Sequence, residues 1–130
     1  MDLSKSLEEL HKEKWGRPDF GSSLAAECHR LWSVPLAELS VENLRILIGQ
    51  KIGLRFLVPV ALDILAVNPL AEGDMYKGDL LANIAAVPDN FWQQYPEFNN
   101  QLVEIKSELE IIMGTITEEL IPPLNSRVYQ

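Results

Sequence analysis

Residues 54–67 read LRFLVPVALDILAV. Wound as a helix, this stretch is apolar on almost every side, the pattern of a helix covered all round. Pro59 lacks the N–H that would bond the carbonyl of Arg55, so it kinks or opens the helix. The apolar run starts at Ile52 and is sixteen residues long, with Arg55, Pro59 and Asp63 inside it. A spanning helix needs about 20 apolar residues, so the stretch reads as the central helix of a core and not as a membrane anchor.

Upstream, Gly49 and Gly53 bracket a turn. Before it, Ser40 is placed to cap a helix with Glu42 in its first turn and Leu44, Leu47 and Ile48 facing inward. Ser22 or Ser23 caps an earlier helix with Leu24, Cys28 and Leu31 on one side. Leu3, Leu7 and Leu10 make a short helical face that WGRPDFG, residues 15–21, breaks. Downstream, NPLAEGDMYKG (68–78) is a loop, and Asp79 is placed to cap a helix from Leu80 to Val87. Asp89 caps a short turn through Phe91 and Trp92. The last helix, about Glu97 to Leu120, carries Phe98, Leu102, Ile105, Leu109, Ile112, Ile116 and Leu120 as one stripe, and Pro122 and Pro123 end it. Apolar residues recur every three or four positions, and no alternating run with hairpin turns occurs. The fold predicted is an all-α, compact single-domain bundle over residues 1–130, with about six or seven helices around the central apolar one.

Composition narrows the function. The 130 residues are 47% hydrophobic and 23% charged, enough to bury a core. Nineteen acids against eleven bases leave a formal net charge of -8, which argues against a nucleic-acid partner held through its phosphates and favours a basic protein. One cysteine, Cys28, excludes an internal disulfide and paired-cysteine zinc sites, and suits a reducing compartment, the cytoplasm. The charged N-terminal stretch MDLSKSLEELHKEKW has no apolar signal core.

Catalytic chemistry finds no footing. Cys28 and His29 are adjacent, so on a helix they point about 100° apart and do not form a nucleophile–base pair. His11 and His29 each lack a second histidine at metal spacing. Glu72, Asp74 and Asp79 gather three carboxylates beside Gly73 and Gly78, but without the ligand order of a calcium loop. A tight loop with glycines at positive φ accounts for them. No phosphate loop or dinucleotide fingerprint is present. The expectation is a protein without catalytic residues, metal or cofactor.

Charge is distributed unevenly. Residues 1–71 hold nine acids and eight bases, whereas residues 72–130 hold ten acids and three bases. On the last helix Glu97, Gln101, Glu104, Glu108 and Ile111 lie on the side away from the apolar stripe. Glu104 and Glu108 stand four apart, a like-charge pair that costs about 0.2–0.5 kcal/mol. These features admit two readings: an ordinary acidic surface, or a face for something basic with Ile111 as an apolar anchor among acidic contacts.

Four blocks then carry a family resemblance: WGRPDF (15–20), AAECHRLW (25–32), SVENLRILIGQKIGLRFLVPVALDIL (40–65) and NPLAEGDMYKGDLL (68–81). In this order they resemble the helical immunity proteins of bacterial contact-dependent growth inhibition systems, over about residues 7–92. Gly21 stands where that family pattern would have a polar or charged residue, and the acidic last helix lies outside the shared blocks. The resemblance implies a cytoplasmic antitoxin that binds the C-terminal toxin domain of a large exported protein, commonly a nuclease, and blocks it. It brings no catalytic residues, so the partner-binding residues are argued from charge: Glu97, Glu104, Glu108 and Ile111, with Glu72 and Asp74 of the acidic loop as the second choice. The competing expectation is a helical adaptor or regulatory module unrelated to toxins.

Overall fold

Ser6 opens the first helix with a reciprocal cap: its hydroxyl accepts the Glu9 N–H at 3.2 Å, and the Glu9 carboxylate accepts the Ser6 N–H. The computed structural model describes residues 1–15 and 21–130. Its elements are α1 (Leu7–His11), α2 (Ser23–Trp32), a 3-10 turn (Leu36–Glu38), α3 (Val41–Gly49), α4 (Leu54–Val67), α5 (Asp79–Ala85), α6 (Asp89–Gln94), α7 (Pro96–Thr115), a π turn (Ile116–Leu120) and α8 (Ile121–Leu124). The backbone stays helical from α7 through the π turn into α8, so these three form one rod. Counting that rod once, the described residues make seven helices and no strand, an all-α bundle.

Local signals place most of the starts. Of the two candidate serines, Ser22 caps α2, its hydroxyl accepting the Ala25 N–H at 3.1 Å. Ser40 caps α3 and exchanges bonds with Asn43. Gly49 ends α3 and Gly53 precedes α4 at φ +62°, where a Cβ would meet Leu7 Cδ2 at 2.6 Å. Only a glycine lets α1 lie this close to the start of α4. The break expected at residues 15–21 falls mostly on residues 16–20, outside the described residues.

α4 runs unbroken through Pro59, and Leu57, Val58, Ala61, Leu62 and Leu65 are buried. Their spacing of one, three, one and three traces a single stripe. The helix is therefore not covered on every side. Arg55, Asp63, Ala66 and Val67 are exposed, Val67 at 88%, because α3, α5 and α7 pack only the buried stripe. Two outer leucines were misplaced by the helical pattern. Leu24 on α2 is exposed, and Leu3 lies outside α1 and is exposed as well.

Two expected caps take other roles. Gly78, at φ +93°, precedes α5, so Asp79 is the first helical residue, and Asp89 follows Pro88 at the start of α6 in the same way. The last helix starts one residue earlier than expected and does not stop at Leu120. The N–H of Ile121 bonds the carbonyl of Ile116, five residues back. This wider turn relieves the crowding that Pro122 and Pro123 would impose on carbonyls four residues behind them, so the helix continues to Leu124. The rod's 29 residues span about 44 Å at 1.5 Å each, against about 21 Å for α4. It overhangs the bundle. Phe98, Leu102 and Ile105 join the core, whereas Ile116 and Leu120 of the expected core stripe are exposed.

Candidate functional site

α7 lies along α4, and a cavity of about 260 Å³ opens between them. Leu62, Leu65, Ala66 and Ile105 form its apolar floor, and Asp63, Gln101, Glu104 and Glu108 line it with polar groups. The periodicity of each helix explains the arrangement. Leu62 and Leu65 belong to the buried stripe of α4, so Asp63 comes at its edge; Ile105 belongs to the buried stripe of α7, so Glu104 and Glu108 come at its edge. Lys106 bonds Glu110 at 3.1 Å and turns its charge away from this edge. Among the described residues Glu104 and Glu108 have no basic partner. On the opposite edge of α7 a second groove, about 330 Å³, is almost wholly apolar and is lined by Leu81, Ala85, Leu102, Val103 and Leu109 among others.

The sequence-predicted residues thus divide. Glu104 and Glu108 come together at the cavity. Glu97 is exposed in the first turn of α7, and Ile111 is exposed at 62% farther along the rod; neither lines the cavity. Asp63 was missed. Its signal was present, since a carboxylate inside an apolar run marks the side of the helix that meets water.

Glu72 and Asp74 sit in a separate structure, the loop between α4 and α5. Asp79, buried at 2% exposure, accepts the N–H groups of Gly73 at 2.7 Å, Met75 at 3.0 Å and Tyr76 at 3.3 Å. Burial pushes the Asp79 carboxyl up, but these three donors, with Arg45 at 3.9 Å, outweigh it and hold its pKa below the ordinary value. Glu42 accepts both a bidentate pair of bonds from Arg45 and the N–H of Asp74, and its pKa is lowered chiefly by the Arg45 bonds. Gly73 needs no positive φ here. Its place is set by close approach, because a Cβ would meet Glu42 Oε1 at 2.6 Å. The three-carboxylate reading of this loop therefore separates into parts: Asp79 is a structural acceptor, whereas the Glu72 and Asp74 side chains point into solvent.

The remaining candidates are packing groups. Cys28 is buried, and burial, with Glu27 beside it, pushes its thiol pKa up, away from a reactive thiolate. His11 stacks on Trp32 with ring centroids 5.1 Å apart and meets the Phe56 ring edge-on at 4.9 Å. Its burial, aided by the charge of Arg55 and opposed by Glu13, pushes the imidazole pKa down. No group of three or more His, Cys, Asp or Glu among the described residues could hold a metal ion. No helix of the described residues is long and apolar enough to cross a membrane.

Neither the curated proteins nor the solved structures contain a match to the chain. A family model does match, that of the CDI immunity proteins, over residues 9–102. These residues hold the helices from α2 to α6, the Asp79 loop and the start of α7, so the match takes in most of the packed bundle. The chain belongs to the immunity proteins of contact-dependent growth inhibition systems.

Proposed function

We propose that this antitoxin acts in the cytoplasm as a stoichiometric binder, without catalysis of its own, and neutralises one cognate toxin domain, a nuclease. The observation that carries the reading is the pair of carboxylates Glu104 and Glu108, without a basic partner among the described residues, set with Asp63 around an apolar-floored cavity. A nuclease holds phosphate with Lys and Arg, and those same cations pair with carboxylates. The stem of a lysine or arginine lies on Leu62, Leu65 and Ile105 while its charge meets the rim. Glu97 extends the acidic edge, Ile111 adds an apolar contact beyond it, and Glu72 and Asp74 form a second acidic patch on the loop. The long-range field of a chain with net charge -8 speeds capture of a basic toxin. Family membership leaves the adaptor reading without support.

The test is co-purification with the toxin domain encoded directly upstream, followed by titration. A tight one-to-one complex that abolishes nuclease activity supports the proposal. A folded toxin domain that passes through unbound defeats it.

A further inference from the structure

Beyond Ile105 the rod leaves the core, yet its apolar stripe goes on. Met113, Ile116, Leu120, Ile121 and Leu124 are between 37% and 62% exposed. At about 100° per residue, positions 105, 109, 112, 113 and 116 share an arc of roughly 100°. Continued as a regular α-helix, the rod would carry Ile121 out of that arc. Leu120 stays within the arc, and the π turn, with its bond from Ile121 to Ile116, takes up one extra residue and brings Ile121 and Leu124 back in line with Ile116. Among the described residues nothing covers this stripe, and the tail residues Val128 and Tyr129 are themselves exposed.

The geometry points to a helix-in-groove contact: the rod from Leu109 to Leu124 lays its stripe into an apolar groove on a basic protein whose Lys and Arg edge that groove. Charge decides the occupant. Residues 96–124 carry six acids and one base, and the base, Lys106, is held by Glu110. Glu108 and Glu119 run beside the stripe, so a second copy would set this acidic rod against its like, and an anionic lipid surface would be repelled. A groove with basic edges satisfies both the stripe and its flanks. The stripe is continuous at Leu109 with the apolar groove between α5 and α7, and it lies beyond the residues that match the family. In naming the toxin domain as this basic protein, the inference rests on the antitoxin reading above.

The experiment measures binding of the full chain to the purified toxin domain encoded upstream, by surface plasmon resonance, with sedimentation of the free chain alongside. Ile116→Ser with Leu120→Ser and Leu124→Ser should leave the helical spectrum and the association rate unchanged but raise the dissociation rate by about 100-fold. Leu24→Ser, an exposed leucine on α2, should change it less than about twofold. Should the triple variant misfold, Met113→Ser with Leu120→Ser is measured in its place. A triple variant that dissociates like the wild type overturns the rod contact and leaves the antitoxin reading standing. A wild-type chain that fails to bind overturns both. A wild-type dimer at micromolar concentration that the triple variant splits overturns the proposal by giving the stripe to a second copy.

Discussion

Asp79 Oδ1 accepts the Gly73 N–H at 2.7 Å while the same carboxylate stands 3.9 Å from the Arg45 guanidinium. One buried side chain thus ties the α4–α5 loop to α5 and, through Arg45 and Glu42, to α3. Asp79→Ala would leave three loop N–H donors without their buried acceptor, and it should cost about 2–4 kcal/mol in denaturant melts. A cost under about 1 kcal/mol would mean that the loop holds itself.

The same carboxylate sets a pH dependence. Its folded pKa is depressed, so its contribution is whole above the ordinary carboxylate value of 3.8 and is lost as pH falls through the lower folded value. The stability gap between the wild type and Asp79→Asn should therefore be widest near neutral pH and should close in strong acid. Melts at several pH values check this, and a gap that widens in acid would reverse the sign.

Leu62 is buried in the α4 stripe and also floors the acidic cavity. Leu62→Ala should cost roughly 2–5 kcal/mol, because little around the site is free to collapse into the space. Chemical denaturation measures it.

Cys28 is a core residue and not a reactive one. Cys28→Ser should leave toxin binding intact while costing about 1–3 kcal/mol for a hydroxyl placed in apolar surroundings. Loss of binding in a variant whose melt is unchanged would give the thiol a role.

Glu104→Lys with Glu108→Lys reverses two exposed charges that no partner among the described residues balances. Folding should be unaffected within about 0.5 kcal/mol. Association with the toxin domain should slow at least about tenfold, and the salt dependence of the wild-type rate should flatten. Stopped-flow association at two ionic strengths reads both effects.

The helices themselves were legible in the chain because their signals are local. Ser22 and Ser40 cap as their neighbours dictate, Gly49 and Gly53 frame one turn, and α4 shows as a helix in its own residues, although its apolar surround hid which single stripe is buried. That Glu104 and Glu108 share a face was legible too, since it needs only the period of one helix, but that face was expected away from the core and lies at its edge. Other features depended on what lies across space. Asp79 reads as a cap until the loop N–H groups of residues 73, 75 and 76 fold over it, which no spacing states. Asp63 joins Glu104 and Glu108 only because α7 packs beside α4. The stripe from Phe98 to Leu120 has one unbroken period, so sequence alone assigns it to one core. Tertiary structure divides it, because an apolar residue is buried only where another element reaches it, and α4 ends well before the rod does.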